Sequence, residues 1–436
     1  MIDPLLGAAI ATVLFLALLA IGAPIFVSLT MGGIVGIFLA EGSRGLLAIS
    51  TVAFGHAYSF GVLAITLFVF MGNLLVHHDI GKEVYGVVYK WVGQIRGGLA
   101  IVSTLFGALF GFMCGSSLAG VATVGGVSLP EMEERGYDRR ISAGTLALAG
   151  SLAALIPPSV LMILYTIITQ ASLGRLFIAG IIPGFALVIL MVAYIFIRVT
   201  INPKLAPAGP SFTWGEKGKS LVHLIPVAVI FLSVIGGLYM GIWSPTEAGA
   251  TGAVAALLVC LAYRRVTWGK VKTASLRTVQ TFVMIYMLLI GASLLAHLYF
   301  ISGINAAIQS SVANLMVPTW LIIILMWFVM MILGMFLDAP AMVLIAVPVF
   351  LPIIEALGFD IIWFGVVIVL GAEMAGITPP VGLALFIIQS IAPKGTTLMD
   401  CIIGAAPYVG ILWILLGLLI AFPEIAMWLP SMMRGY

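Results

Sequence analysis

Charge is what this 436-residue chain lacks most: Asp, Glu, Lys and Arg together make up 8% of it, against 63% apolar residues. Soluble domains carry about a quarter charged residues, so a soluble fold is excluded. Cysteine is also scarce. Cys114, Cys260 and Cys401 all fall in apolar runs, which suits buried thiols and leaves no disulfide framework or metal cage. There is no His-Glu-x-x-His motif, no phosphate-cradling Gly-Lys loop, and no aspartate pair spaced for proteolysis within a membrane. Cys114-Gly115-Ser116-Ser117 has the look of a nucleophile turn, yet no histidine falls at matching depth. An enzyme is excluded for want of parts, and nothing calls for nucleic acid as a partner.

Long apolar runs are what the chain has instead. Several extend over about 17 to 25 residues without a charge, enough to cross a bilayer as helix. They are continuous rather than alternating, so they predict helices and not barrel strands. The expected class is an all-α polytopic membrane protein. Residues 1–4 carry no positive charge, so the first apolar run reads as a retained span rather than a cleaved signal.

Runs at 5–21 and 24–40 are separated by Gly22-Ala23-Pro24, and 41–60 reads as interfacial. A span at 62–76 leads to a polar stretch at 77–98, where His77 and His78 read as solvated. Then come an apolar stretch at 99–129, a charged loop at 131–140, a run at 141–172 broken at Pro157-Pro158, and a span at 177–197. Residues 201–220 read as a cytoplasmic linker between a first unit, 1–200, and a second, 221–436. The second unit runs through 221–241, 245–263, an amphipathic stretch 264–277, 278–300, 318–354, 361–392 broken at Pro379-Pro380, and 398–421.

The two units echo each other. Moved by 222 positions, Gly111–Pro158 falls on Leu333–Pro380 without a gap: Pro130 lands on Pro352, Gly136 on Gly358, Asp138 on Asp360 and Pro157-Pro158 on Pro379-Pro380. Positive charge sets the orientation. Lys82, Lys90 and Arg96 precede the stretch 99–129, and Arg135, Arg139 and Arg140 follow it, so both its ends are expected in the cytoplasm. A run with both ends on one side is a re-entrant hairpin, its tip near Cys114 to Ser117. The hairpin 318–354 has no Lys or Arg in its flanks at 301–317 and 355–360, and is expected to enter from the opposite face, its tip near Asp338. Five crossings and a hairpin per unit make about ten crossings, two hairpins, an inverted pair of repeats and periplasmic termini. All Lys and Arg except Arg44, Arg175 and Arg434 then fall inside.

Inverted repeats with interrupted helices mark secondary transporters, because a break at mid-membrane frees carbonyls for a cation and helix N-termini for an anion. Each unit supplies one tip and one break: Gly115-Ser116-Ser117 with Pro157-Pro158, and Asp338-Ala339-Pro340 with Thr378-Pro379-Pro380. The glycines at 107, 111 and 115 equally suit close helix packing. An ionised aspartate at mid-helix costs about 2.5–3.5 kcal/mol, so Asp338 reads as a helix cap, a cation ligand, or both. Glu373 is open between a structural pairing, a proton role and a sodium role. His223 and His297 read as interfacial.

At these residues the chain resembles the large, DctM-like (M) permease subunit of tripartite ATP-independent periplasmic (TRAP) transporters. The resemblance rests on GSSLAGVATVG at 115–125, LPEMEERGYDRR at 129–140, LIPPSVLMILY at 155–165, WSPTEAGATGA at 243–253, FLDAPAMVLIAVPVFLPI at 336–353 and EMAGITPPVGLALF at 373–386. Cys114 and Gly120 depart from the pattern. The resemblance implies the elevator fold of the ion transporter superfamily, in the bacterial inner membrane. It implies sodium-coupled uptake of an anionic organic acid, such as a C4-dicarboxylate or sialic acid, delivered by a periplasmic substrate-binding protein, with a separate four-span small subunit (Q). By position, the sodium and substrate region would comprise Gly115, Ser116, Ser117, Pro157, Pro158, Asp338, Ala339, Thr378, Pro379 and Pro380, with Na+ at Ser116, Ser117, Asp338 and Thr378. The rival expectations are a stand-alone sodium/dicarboxylate symporter and an anion channel or exporter.

Overall fold

A computed structural model describes residues 3–313, 317–380 and 382–433; Arg434, expected on the outer side, lies outside them. The regular structure among the described residues is helical. In the first half the helices are α1 (Pro4–Ala20), α2 (Ile25–Glu41), α3 (Leu47–Ala57), α4 (Phe60–His77), α5 (Ile80–Val92), α6 (Gly98–Cys114), α7 (Ser117–Glu134), α8 (Arg139–Ser151), α9 (Val160–Thr169) and α10 (Leu173–Ile201). In the second they are α11 (Trp214–Tyr239, with 3₁₀ and π turns inside), α12 (Pro245–Ala262), α13 (Trp268–Ile301), α14 (Ile304–Ala313), α15 (Thr319–Gly334), α16 (Ala339–Ala356), α17 (Ile361–Ile377), α18 (Leu383–Ile391), α19 (Leu398–Ala421) and α20 (Glu424–Ser431). Eight of these described helices (α2 continued by a 3₁₀ turn to Arg44, α4, α10, α11, α12, α13, α16 and α19) are long and apolar enough to cross a membrane. The chain is a multi-pass membrane protein.

Moved by 222 positions, α7 takes the same bounds as α16, and α5 to α10 follow the order of α14 to α19. The shared Gly-aromatic-Asp loop shows why. At Gly136 (φ 69°) and Gly358 (φ 73°) the backbone is left-handed, which glycine adopts without a Cβ penalty. The next amide then bonds back into the helix it leaves: Tyr137 N–H to Met132 O at 3.0 Å, and Phe359 N–H to Ile354 O at 3.2 Å. Asp138 Oδ1 accepts from the amides of Arg140 and Ile141, and Asp360 Oδ1 from those of Ile362 and Trp363, so each aspartate starts the following helix.

Two local expectations, on 264–300 and on His78, need correction, and the stretch read as a linker has structure of its own. The stretches 264–277 and 278–300 are not two segments: from Trp268 to Ile301 they form one 34-residue helix, α13, which Thr267 caps and no proline interrupts. The linker is partly helical: Thr213 and Glu216 make a reciprocal capping box that starts α11, and Lys217 is buried. His78 is not solvated. It is fully buried, with Nδ1 2.6 Å from Leu74 O, and Arg265 donates to its carbonyl at 3.5 Å.

Two groups of helices pack internally. In one, α4 lies on α12 and α13, and α2 lies on α1 and α13; in the other, α8 lies against α6, α7 and α19, α15 on α17, and α16 on α9. Backbone approach in the second group is close. A Cβ on Gly144 would stand 2.0 Å from Gly404 O, and one on Gly404 2.1 Å from Arg140 O, so α8 and α19 meet main chain to main chain. The two groups meet along α4 and α13, and the hairpin tips face that seam.

Candidate functional site

The first tip is made by two residues. Gly115 (φ 65°) ends α6, Ser116 is extended, and α7 starts at Ser117. The break at Pro157-Pro158 holds this tip from behind: Val160 N–H donates to Gly115 O at 3.1 Å, and a Cβ on Gly115 would stand 2.5 Å from Pro158 O. Gly115 is therefore needed for its backbone conformation and for this contact. Gly107 and Gly111 serve packing, with added Cβ atoms 2.1 Å from Ala149 O and 3.1 Å from Ala153 Cα. Ser116 and Ser117 are half-buried, and their hydroxyls have no hydrogen-bond partner among the described residues.

The second tip follows α15. Phe336 and Leu337 amides both bond to Leu333 O, and Asp338 then caps α16, its Oδ1 accepting from Ala341 N–H at 3.3 Å with Pro340 in the first turn. The capping reading of Asp338 is observed; its other carboxylate oxygen has no described partner. Beyond α17, Thr378 is buried and donates its hydroxyl proton to Met374 O at 2.6 Å, and Gly382 (φ 46°) turns the chain into α18. Both Pro157-Pro158 and Pro379-Pro380 peptide bonds are cis.

The two tips share one cavity of about 120 Å³. A water needs about 10–15 Å³ of such space, so several waters or a small solute fit. Gly115, Ser116, Ser117, Asp338, Ala339 and Pro340 line it, opposite Val69 and Asn73 of α4 and Thr281, Met284 and Ile285 of α13. Pro157, Pro158, Thr378, Pro379 and Pro380 are not among its lining residues. Pro157 and Pro158 are buried behind the first tip, while Pro380 is exposed. Sequence reasoning missed Asn73 and Thr281. A lone asparagine in the otherwise apolar α4 was a signal for the first, since a polar group at that depth needs a partner or a wet cavity. Nothing marked Thr281. Asn73 also donates to the buried Thr278 at 3.0 Å, which fixes its side chain.

This arrangement can hold a small dehydrated cation. It offers hydroxyl oxygens without partners, one carboxylate and the carbonyls of two interrupted helices. The comparisons with known proteins agree with a transport role. The family described as "Tripartite ATP-independent periplasmic transporter, DctM component" matches residues 12–425. The chain belongs to this DctM family. Among its relatives is the C4-dicarboxylate TRAP transporter large permease protein DctM of Pseudomonas aeruginosa, 34% identical over 85% of this chain and 86% of that protein. Another is the ectoine TRAP transporter large permease protein TeaC of Halomonas elongata, 30% identical over 96% of this chain and 97% of that one. The crystal structure of the Alcanivorax borkumensis YdaH transporter has the same fold, with a TM-score of 0.67 at 17% identity over 98% of this chain and all of that chain. A DctM-family chain is a transporter subunit, not an enzyme.

Proposed function

We propose that this DctM-family permease imports an organic carboxylate by sodium symport, with the cavity between the two hairpin tips as the shared site. The observation that supports it is the convergence of Ser116, Ser117 and Asp338 on one cavity. Sodium is held by the hydroxyls of Ser116 and Ser117, the carboxylate of Asp338 and backbone carbonyls of the tips. The positive ends of α7 and α16, which begin at the tips, favour an anion beside the cation.

The two units 1–200 and 221–436 are inverted repeats joined at 201–220, giving about ten crossings and two hairpins that enter from opposite faces. The group containing the tips and breaks moves as an elevator against the frame of α2, α4, α12 and α13. The cell's inner membrane holds it with both termini periplasmic, and it works with a small four-span subunit and a periplasmic binding protein. The solute is a carboxylate; relatives named for C4-dicarboxylates and for ectoine show that the family carries more than one kind.

The test is uptake into proteoliposomes holding this chain, its small subunit and ligand-loaded binding protein. Uptake is expected to require an inward sodium gradient and to stop when choline replaces sodium. Equal flux without sodium favours a channel or exporter, and full activity of this chain alone favours a stand-alone symporter.

A further inference from the structure

Glu373 sits outside the cavity just described. It lies on α17, is 2% exposed, and both carboxylate oxygens are buried without a hydrogen-bond partner among the described residues. Its surroundings are the two interrupted helices themselves. α17 packs on α8, α9 and the turn Leu152–Ala154 that ends α8, and the polar group beside the carboxyl is the Leu155 backbone, whose N–H is bonded to Leu152 O at 3.1 Å.

The charged groups on every element packed against α17 lie at helix ends. They are Asp338 and Glu355 of α16, Arg139 and Arg140 of α8, Arg175 and Arg198 of α10, Asp400 of α19 and Glu424 of α20. None forms an ion pair with Glu373. The hydroxyl of Tyr165 on α9 is committed to Ile361 O, and that of Tyr408 on α19 to Thr145. Tyr194 of α10 and Cys401 of α19 have no bond to Glu373 either.

We infer that Glu373 is a proton-binding site: the ligand held between the two broken helices is a proton, and the side chain acts as a neutral carboxylic acid. A carboxylate only accepts hydrogen bonds, whereas the protonated acid both donates and accepts. No N–H or hydroxyl among the described residues hydrogen-bonds to either oxygen, so the ionised form has nothing to accept from. An isolated charge sealed from water without a partner takes up a proton instead. The bound proton stays with the moving group through the cycle, and the coupling ion binds elsewhere.

This inference concerns a site apart from the sodium reading, and its test can fail independently. Infrared spectra of the purified protein in liposomes at pH 7.5 are expected to show a carboxylic C=O stretching band that is lost in Glu373→Gln. In the wild type alone, ¹³C labelling of glutamate is expected to shift that band, which keeps the test usable if the variant does not fold. Loss of a carboxylate band in the variant, or no glutamate-derived acid band in the wild type, overturns the inference. Adding sodium chloride in place of choline chloride is expected to raise the thermal midpoint of Glu373→Gln as much as that of the wild type. A sodium effect lost only in the variant makes Glu373 a cation ligand and overturns the proton assignment. A wild type indifferent to sodium defeats the symport reading and leaves the infrared result to decide this one.

Discussion

At the scale of single residues, the account rests on what each side chain can donate or accept. Ser116 is half-buried with an unpartnered hydroxyl facing the cavity. A bond to a charged partner contributes about 1.5 kcal/mol or more, so Ser116→Ala is expected to raise the sodium concentration for half-maximal uptake about tenfold. Unchanged sodium dependence removes Ser116 from the site. Asp338 is separable by chemistry, because asparagine caps a helix about as well as aspartate does. Asp338→Asn is expected to keep the thermal midpoint and lose sodium-driven uptake; normal uptake leaves only the cap. For Gly115→Ala the expectation is a protein that assembles poorly. Its left-handed φ costs a side chain about 1 kcal/mol, and the Cβ would also press on Pro158 O, a backbone atom that cannot swing away.

Among the elements, the connections between helices carry the polar chemistry. The α12–α13 connection is tied to α5 and the turn before it: Arg265 pairs with Glu83 of α5 and donates to Asp79 O at 2.9 Å, and Nδ1 of His223 on α11 lies 3.5 Å from Glu83. These pairs are partly exposed, so Arg265→Ala is expected to cost about 1 kcal/mol of stability, seen as a lower thermal midpoint with uptake retained. Partial burial opposes ionisation of Asp79, but Lys82 at 3.0 Å and Lys270 at 3.5 Å outweigh it and hold the carboxyl below its ordinary range. A depressed acid stabilises the fold above the ordinary carboxylate range, and that contribution is lost as pH falls through the folded value. Acidification is therefore expected to lower the wild-type midpoint more than that of Asp79→Asn. How much of this was readable depended on the kind of signal. Asp138, Asp360 and the proline pairs declared themselves because rare residues recur at one offset. The capping box at Thr213 and Glu216 was legible but went unread inside a proline-rich stretch. The continuity of α13 was hidden, because its polar start and apolar end look like two segments. The pairing of Glu83 with Arg265 joins residues 182 apart, which no local pattern encodes.

For the molecule as a whole, the central proposal is that one half is the other turned over, so that the hairpins reach the cavity from opposite faces. Convergence of the tips was foreseeable from the repeat; of the frame residues opposite them, in helices outside the repeated motif, Asn73 carried a local signal and Thr281 none. Sidedness tests the inversion without knowledge of the solute. The side chain of Lys82 on α5 is 67% exposed, and Ser310 is exposed in α14, the counterpart of α5. The native cysteines are all buried and give little background. The decisive measurement is labelling of Lys82→Cys and Ser310→Cys in intact cells with a membrane-impermeant thiol reagent. The account predicts that position 310 reacts from outside while position 82 reacts only after the cells are opened; both positions reacting from the same side would contradict it.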